Sequence, residues 1–130
     1  PEAILKKPSK LDPDEFAIMK EHAAYSLQIL SQIEFADEYK DLAMIASLHH
    51  EKLDGSGYPF GHTADALNIE TRILAVADIY HAMTQDRVYR NGMPMAKAFD
   101  IINDMTPHQL DGDCVRALKQ FLGYPNQLAA

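Results

Sequence analysis

The sequence predicts an all-α fold, a helical bundle of about five helices with one long ordered loop. Apolar residues recur three and four positions apart along most of the chain, which is the period of an amphipathic helix. No stretch of useful length alternates apolar and polar residues as a half-buried strand would. The chain has 130 residues, enough to bury the core of one domain. We therefore expect a single domain over residues 1–130.

Capping residues mark the helices of the first half. Residues 5–11 predict a basic loop. A first helix should begin after Asp12, because an aspartate N-cap followed by Pro13 is a strong start signal. Its apolar positions continue to about Ile33. A second helix is expected over residues 36–50.

Similar signals organise the second half. Residues 51–68 hold glycines and few apolar repeats, so they predict an ordered loop. A third helix is expected over residues 69–84. Pro94 should open a fourth helix, and either Asp111 or Asp113 should cap a fifth.

Composition excludes several classes of protein. The net charge of −7 argues against binding of a DNA or RNA polymer, which needs a basic surface. A small anionic nucleotide would need bound cations and a local arginine cluster, which Arg87 and Arg90 could form. The lone cysteine, Cys114, cannot form an intramolecular disulfide and favours a reducing, cytoplasmic compartment.

No apolar stretch of this chain is long enough to cross a lipid bilayer, since a membrane-spanning helix needs roughly 20 apolar residues. We therefore predict no membrane segment. The chain does not begin with methionine, so we expect it to be a piece of a longer protein.

The most informative segment is residues 49–59. His49, His50 and a carboxylate close the predicted second helix, and a loop with two glycines, a tyrosine and a proline follows at once. Imidazoles are common metal ligands, and glycines let the backbone approach a ligand closely. The segment therefore predicts a metal site that faces a phosphate substrate.

Two further residues are candidate ligands. Asp78 lies in an otherwise apolar helical segment, where a buried carboxylate needs a cation, a strong donor or an exposed position. His22 could face the same interior. Adjacent helical residues point about 100° apart, so His49 and His50 should reach different ions, or one should face substrate. Without thiolates, the ligand set favours Fe or Mn and does not exclude Zn.

Each candidate also has a purely structural interpretation. His22 alone would more often be a satisfied or exposed histidine than a ligand. The pair at residues 49–50 could simply be favoured by the dipole at a helix C-terminus. Asp78 could instead form an ion pair with Arg72 or Arg87. The metal interpretation gains weight because the candidates occur together.

Several blocks of this chain occur in a fixed order. They are Lys7-Pro8, Met19-Lys20-Glu21-His22, the HHExxDGxGYP segment at residues 49–59, and the segment VADIYHAMTQDRVYR at residues 76–90. In these blocks the chain resembles the HD-GYP family, the cyclic di-GMP phosphodiesterases of the HD superfamily, from residue 1 to about 105. A match over several blocks is more specific than one short motif.

The resemblance implies a helical bundle of the HD superfamily that binds two or three divalent metals, usually including iron, with Fe or Mn favoured and Zn, Ni or Mg as alternatives. It implies the metal ligands His22, His49, His50 and Asp78. Among these, His49, His50 and Asp78 would be catalytic. It implies substrate-binding roles for Gly57, Tyr58, Arg87 and Arg90. The reaction would be hydrolysis of cyclic di-GMP to linear pGpG, in some members continued to GMP. Partners would be the cyclic dinucleotide and, through the GYP loop (the ordered loop at residues 51–68), other signalling domains.

One departure limits the prediction. The His-Asp pair that names the family does not occur in these 130 residues, so we expect the C-terminal portion of an HD-GYP domain. Such a portion should have weak or no activity alone and expose an apolar face, across which two copies could associate as a homodimer. Two alternatives follow, a non-catalytic module that senses a nucleotide or contacts proteins, and an HD-type hydrolase of another nucleotide.

Overall fold

A computed structural model describes residues 1–87 and 90–126. Its α-helices are α1 (Glu2–Leu5), α2 (Pro13–Leu30), α3 (Leu42–Ser47), α4 (Ile69–Thr84), α5 (Met95–Met105) and α6 (Gly112–Phe121). Short 3-10 helices lie at Asp37–Tyr39 and Ala64–Ala66. The described ranges contain no β-strand, so the predicted all-α class is confirmed.

Helix α2 begins where the sequence predicted. The Asp12 side chain accepts a hydrogen bond from the Glu15 amide, and the Glu15 side chain accepts one from the Asp12 amide. This reciprocal capping box satisfies amides that a helix start otherwise leaves unpaired. The Glu15 amide also lowers the pKa of Asp12. The helix ends at Leu30, earlier than the predicted Ile33.

The predicted second helix over residues 36–50 is wrong. A 3-10 turn at Asp37–Tyr39 and the six-residue α3 take its place, so His49 and His50 follow the helix. Tyr39 and Leu42, two apolar residues of this segment, are 56% and 41% exposed. Helices in proteins owe most of their stability to packing of an apolar face, and the start of this segment has no such packing.

Helices α4, α5 and α6 confirm the predicted pattern. Helix α4 has the predicted bounds, and Pro94 directly precedes α5. Asp111, not Asp113, caps α6, since its side chain accepts from the amides of Asp113 and Cys114. These helices enclose the main apolar cluster, whose buried members are Val76, Phe99, Ile102, Leu110, Cys114 and Val115.

Helix α2 packs against α3 and presents its other side to solvent. Ile18, Tyr25 and Ile29 are 41%, 54% and 62% exposed. They lie seven and four positions apart and so share one helix face. The described residues therefore include the exposed apolar face that we expected. None of the described helices is both long and apolar enough to cross a membrane.

Candidate metal centre

Three histidines from separate parts of the chain converge. His22 comes from α2, and His49 and His50 follow α3. One ring nitrogen from each lies within 4.8 Å of the others. Nε2 of His50 lies 3.0 Å from Nε2 of His22. The expectation that His49 and His50 reach different ions, or that one of them faces substrate, assumed helical geometry, but both residues follow the end of α3.

Backbone carbonyls fix two of these rings. Nδ1 of His22 lies 2.6 Å from the Met19 carbonyl oxygen, and Nδ1 of His49 lies 2.6 Å from that of Ala46. A carbonyl can only accept, so each Nδ1 carries the proton and donates. In each neutral ring, Nε2 is then left with a lone pair. Such outer hydrogen bonds are how proteins orient histidine ligands toward a metal.

Asp78 brings a carboxylate from α4 to the same place. Its Oδ2 lies 3.6 Å from Nδ1 of His50. Among the described residues, Asp78 forms no ion pair with Arg72 or Arg87. Arg72 instead pairs with Asp111 at 3.0 Å, so the structural interpretation that paired it with Asp78 is wrong. The side chain of Asp78 is 35% exposed, which leaves it open to a ligand.

The protonation state of His50 bears on whether these side chains suit a bound cation. His50 lies between the Nε2 lone pair of His22 and the carboxylate of Asp78. A neutral imidazole has one N–H and can donate to only one of them. Burial lowers the pKa of His50 to about 4, with further lowering by the charges of His49 and His22 and an opposing effect of Asp78. At neutral pH the single N–H of His50 can face either His22 or Asp78, so in the other contact two hydrogen-bond acceptors face each other.

A divalent metal would relieve that contact. Nitrogens at right angles around an ion with metal–nitrogen bonds of about 2.1 Å lie roughly 3 Å apart, close to the 3.0 Å between His22 and His50. Imidazole and carboxylate together suit Fe, Mn and Zn. The three histidines therefore fit a metal ion. The Asp78 carboxylate lies on the Nδ1 side of His50, where it would accept from that ring or bind a further ion.

Metal-free protein should lose stability as the pH falls. The folded-state pKa of His50 is lowered from 6.5 to about 4. Between these values the unfolded chain takes up a proton that the folded chain does not, so the contribution of His50 is complete above pH 6.5 and is lost as the pH falls to about 4. We expect on the order of 1–3 kcal/mol. Urea unfolding in EDTA at about pH 7.5 and 4.5 measures this, and His50→Gln should reduce the difference. An equal pH dependence in both proteins would contradict the assignment.

Glu51 holds the loop that follows the histidines. Its side chain is buried, with 1% of the residue exposed. Its carboxylate accepts hydrogen bonds from three successive amides, those of Phe60 at 2.7 Å, Gly61 at 3.1 Å and His62 at 3.1 Å. Sequence reasoning gave Glu51 no role. The sequence signal that could have indicated this role is the position of an acid directly before a glycine-rich loop, because the backbone amides of such a loop need hydrogen-bond acceptors.

Gly57 lets the loop pass close to the ligand backbone. A Cβ atom there would lie 2.5 Å from the carbonyl oxygen of His50 and from Cα of Glu51. The Tyr58 amide donates to that His50 oxygen at 3.2 Å. The Tyr58 ring then lies against the His50 ring, with centroids 4.7 Å apart. Burial raises the pKa of Tyr58, so its hydroxyl remains protonated at neutral pH.

Gly57→Ala should therefore destabilise the protein by about 1–3 kcal/mol, the usual cost of forcing atoms into a packed region. Gly112→Ala is the matched control. A Cβ at Gly112 meets Thr106 at an ordinary 3.5 Å, and alanine is favoured over glycine in a helix. We expect that variant to be unchanged or slightly more stable in urea unfolding. Equal stability of the two variants would contradict the close approach.

The two arginines predicted to bind substrate differ in their contacts. The Arg90 guanidinium donates to the carbonyls of Ala82 at 2.7 Å and Met83 at 3.2 Å, near the C-terminal end of α4. It therefore stabilises the helix end here, and substrate binding by Arg90 stays a prediction. Arg87 is exposed and lines a groove with Lys7 and Lys10. Residues 88–89 of this block lie outside the described residues.

Comparison with known proteins agrees with these observations. A family model described as HD domain matches residues 1–114. The 3'3'-cGAMP-specific phosphodiesterase 3 of Vibrio cholerae is 44% identical over 120 residues, which are 92% of this chain and 25% of that protein. The cyclic di-GMP phosphodiesterase response regulator RpfG of Xanthomonas campestris is 38% identical over 120 residues, 91% of this chain and 31% of that protein.

A cyclic di-GMP phosphodiesterase of Thermotoga maritima is 39% identical over 117 residues, 90% of this chain and 32% of that protein. The chain thus spans between a quarter and a third of the length of these relatives. The family model and the relatives' names agree with the resemblance to HD-GYP proteins. The chain belongs to the HD domain family.

Proposed function

We propose that this chain is part of a metal-dependent phosphodiesterase that hydrolyses a cyclic dinucleotide. The observation that carries the proposal is the convergence of His22, His49 and His50 beside Asp78. The names of the relatives support a cyclic dinucleotide as substrate. We propose cyclic di-GMP as the first substrate to test, with pGpG or GMP as product. The second is 3'3'-cGAMP, because both names occur among similar proteins.

The four proposed ligands, His22, His49, His50 and Asp78, would hold divalent metal, with Fe or Mn favoured and Zn, Ni or Mg as alternatives. Bound there, it would supply positive charge to polarise a phosphoryl oxygen and lower the pKa of an attacking water. We propose two or three ions in the complete domain. We also propose that the His-Asp pair of the family lies in a preceding segment.

The surrounding residues would orient the ligands and the substrate. The carbonyls of Met19 and Ala46 hold the Nδ1 protons of two histidines, so those rings need not reorganise when the reaction occurs. Tyr58 covers one side of His50 and limits water there. Its hydroxyl can donate to a phosphate oxygen because it remains protonated. Arg87, exposed at the adjoining groove, would meet phosphate as a second positive group.

The test is hydrolysis by the protein in its full natural length, purified without oxygen and loaded with Fe(II) or Mn(II). Cyclic di-GMP and 3'3'-cGAMP are supplied separately, and products are separated by chromatography. We expect linear dinucleotide from at least one substrate and none in EDTA. His49→Ala should lose product, whereas His108→Ala, which changes an exposed histidine on the loop before α6, should not. Metal-loaded protein that cleaves neither substrate would contradict the proposal.

A second candidate is a module that binds the nucleotide without cleaving it. It is favoured by the number of ligands, since only four candidates among the described residues would serve two or three ions. Saturable binding of cyclic di-GMP without product would support this function. A third candidate is hydrolysis of another nucleotide. Competition between cyclic di-GMP and other nucleotides during turnover would reveal it.

The remaining proposals concern cellular context. We propose a cytoplasmic location, because the lone cysteine is unsuited to an intramolecular disulfide. We propose that the GYP loop at residues 51–68 contacts other signalling domains and that the protein can form a homodimer. Light scattering of the full-length protein, with and without a flanking domain, tests both.

A further inference from the structure

Besides His50, Tyr58 has two further neighbours, Phe16 and Lys20, both on α2. The Phe16 ring lies with its centroid 6.3 Å from that of Tyr58 at an angle of 85°. The ammonium of Lys20 lies 5.3 Å from the Phe16 centroid and 5.9 Å from the Tyr58 centroid. Phe16 and Lys20 are four positions apart on α2 and therefore share one helix face. We call Phe16, Lys20 and Tyr58 the aromatic corner.

The corner is open to solvent and adjoins the histidines. Phe16 is 46% exposed. Lys20 forms no ion pair with a carboxylate among the described residues, so its charge is held only against the two rings. Tyr58 joins the corner to the metal centre, because its ring centroid lies 4.7 Å from that of His50. A ligand whose phosphate is at the histidines would have its neighbouring base beside Tyr58.

We propose that the aromatic corner binds one purine base of the substrate and that Lys20 makes guanine the preferred base; this inference rests on the proposed function. Nucleic-acid bases stack on aromatic side chains in many proteins. The lysine ammonium only donates hydrogen bonds. Guanine presents two acceptors, O6 and N7, on its outer edge, whereas adenine presents an amino donor in place of O6. Lys20 therefore suits guanine and opposes adenine.

The experiment uses the full-length protein and three cyclic dinucleotides that contain two, one or no guanines: cyclic di-GMP, 3'3'-cGAMP and cyclic di-AMP. Lys20→Met keeps the aliphatic stem and removes the charge. We expect kcat/KM for cyclic di-GMP to fall about 10- to 100-fold, the usual discrimination of one base contact, with little change for cyclic di-AMP. Lys97→Met on α5 is the control and should leave all three values unchanged. An equal fall for all three substrates would overturn the guanine assignment.

Phe16 is tested in the same protein. Phe16→Ala should raise KM for every substrate by roughly 5- to 100-fold, since stacking is tolerant of base identity, while Phe16→Trp should restore binding. Binding of the three nucleotides in EDTA, measured by calorimetry, gives a readout without turnover and should show the same order. Unchanged KM and affinity in Phe16→Ala would overturn the stacking role. If the wild-type protein hydrolyses substrate but Lys20→Met leaves the substrate preference unchanged and Phe16→Ala leaves KM unchanged, only this inference fails. Absence of both hydrolysis and binding would remove both proposals.

Discussion

His50→Ala should weaken metal binding at least about 100-fold, since replacing even the outer partners of metal ligands costs 10- to 100-fold. His50 is central to the site, with Nε2 3.0 Å from His22 and Nδ1 3.6 Å from Asp78. Its loss removes a side chain that contacts both His22 and Asp78. Metal content after dialysis, and titration of the metal-free protein with Mn(II) or Zn(II), measure the change. The proposed hydrolysis of cyclic di-GMP by the full-length protein should fall as well.

Stability measurements separate loss of a ligand from damage to the fold. A metal present at 100 times its Kd stabilises the folded state by about 2.7 kcal/mol. The wild-type protein should gain about this much, whereas His50→Ala should gain little at the same concentration. His108→Ala, which alters an exposed histidine away from the cluster, should gain as much as wild type. Equal gains in wild type and His50→Ala would exclude His50 as a ligand.

Local signals in the sequence were sufficient for most helix starts. Asp12 with Pro13 at α2, Pro94 at α5 and Asp111 at α6 all mark observed starts. Each signal works through hydrogen bonds or backbone angles within one turn, so it needs no knowledge of the rest of the fold. The prediction of one helix over residues 36–50 was wrong because the apolar spacing of this segment is helical, but no neighbouring element packs against its first residues. Spacing alone cannot report a missing neighbour.

The metal centre could be predicted as a set of residues but not as a geometry. The resemblance assigned ligand roles to His22, His49, His50 and Asp78, and the structure brings these four together. The orientation of the rings depends on carbonyls three residues earlier, at Met19 and Ala46. Every residue has a backbone carbonyl, so no residue type in the sequence marks the two carbonyls that orient the histidine rings.

Glu51 shows a different limit of sequence reasoning. Its position beside two histidines does not reveal which groups its carboxylate contacts. In the structure its carboxylate turns to the loop amides of residues 60–62. The role depends on the path of a loop that returns nine to eleven residues later, which the sequence does not specify. The function of Glu51 is therefore best tested through the stability of that loop.

Glu51→Ala should destabilise the protein by about 2–4 kcal/mol, because three partly buried hydrogen bonds to loop amides are lost, and each group left unpaired costs about 1–3 kcal/mol, less where water can replace the acceptor. This is a large part of the roughly 5–15 kcal/mol that usually holds a domain folded. Glu51→Gln keeps one acceptor oxygen and should lose less. Urea unfolding of metal-free protein measures both, and Glu34→Ala, at an exposed position, should stay within about 0.5 kcal/mol of wild type.

The loop held by Glu51 carries Tyr58, whose ring packs on His50, so its release should also reach the metal centre. We expect Glu51→Gln, if folded, to bind Mn(II) about 10- to 100-fold more weakly, as for other residues that support metal ligands. A purely structural role would lower stability and leave the affinity of the folded protein unchanged. A stability loss in Glu51→Ala no larger than that in Glu34→Ala would mean that the amides of residues 60–62 find other acceptors, and Glu51 would then not be what holds Tyr58 against the histidines.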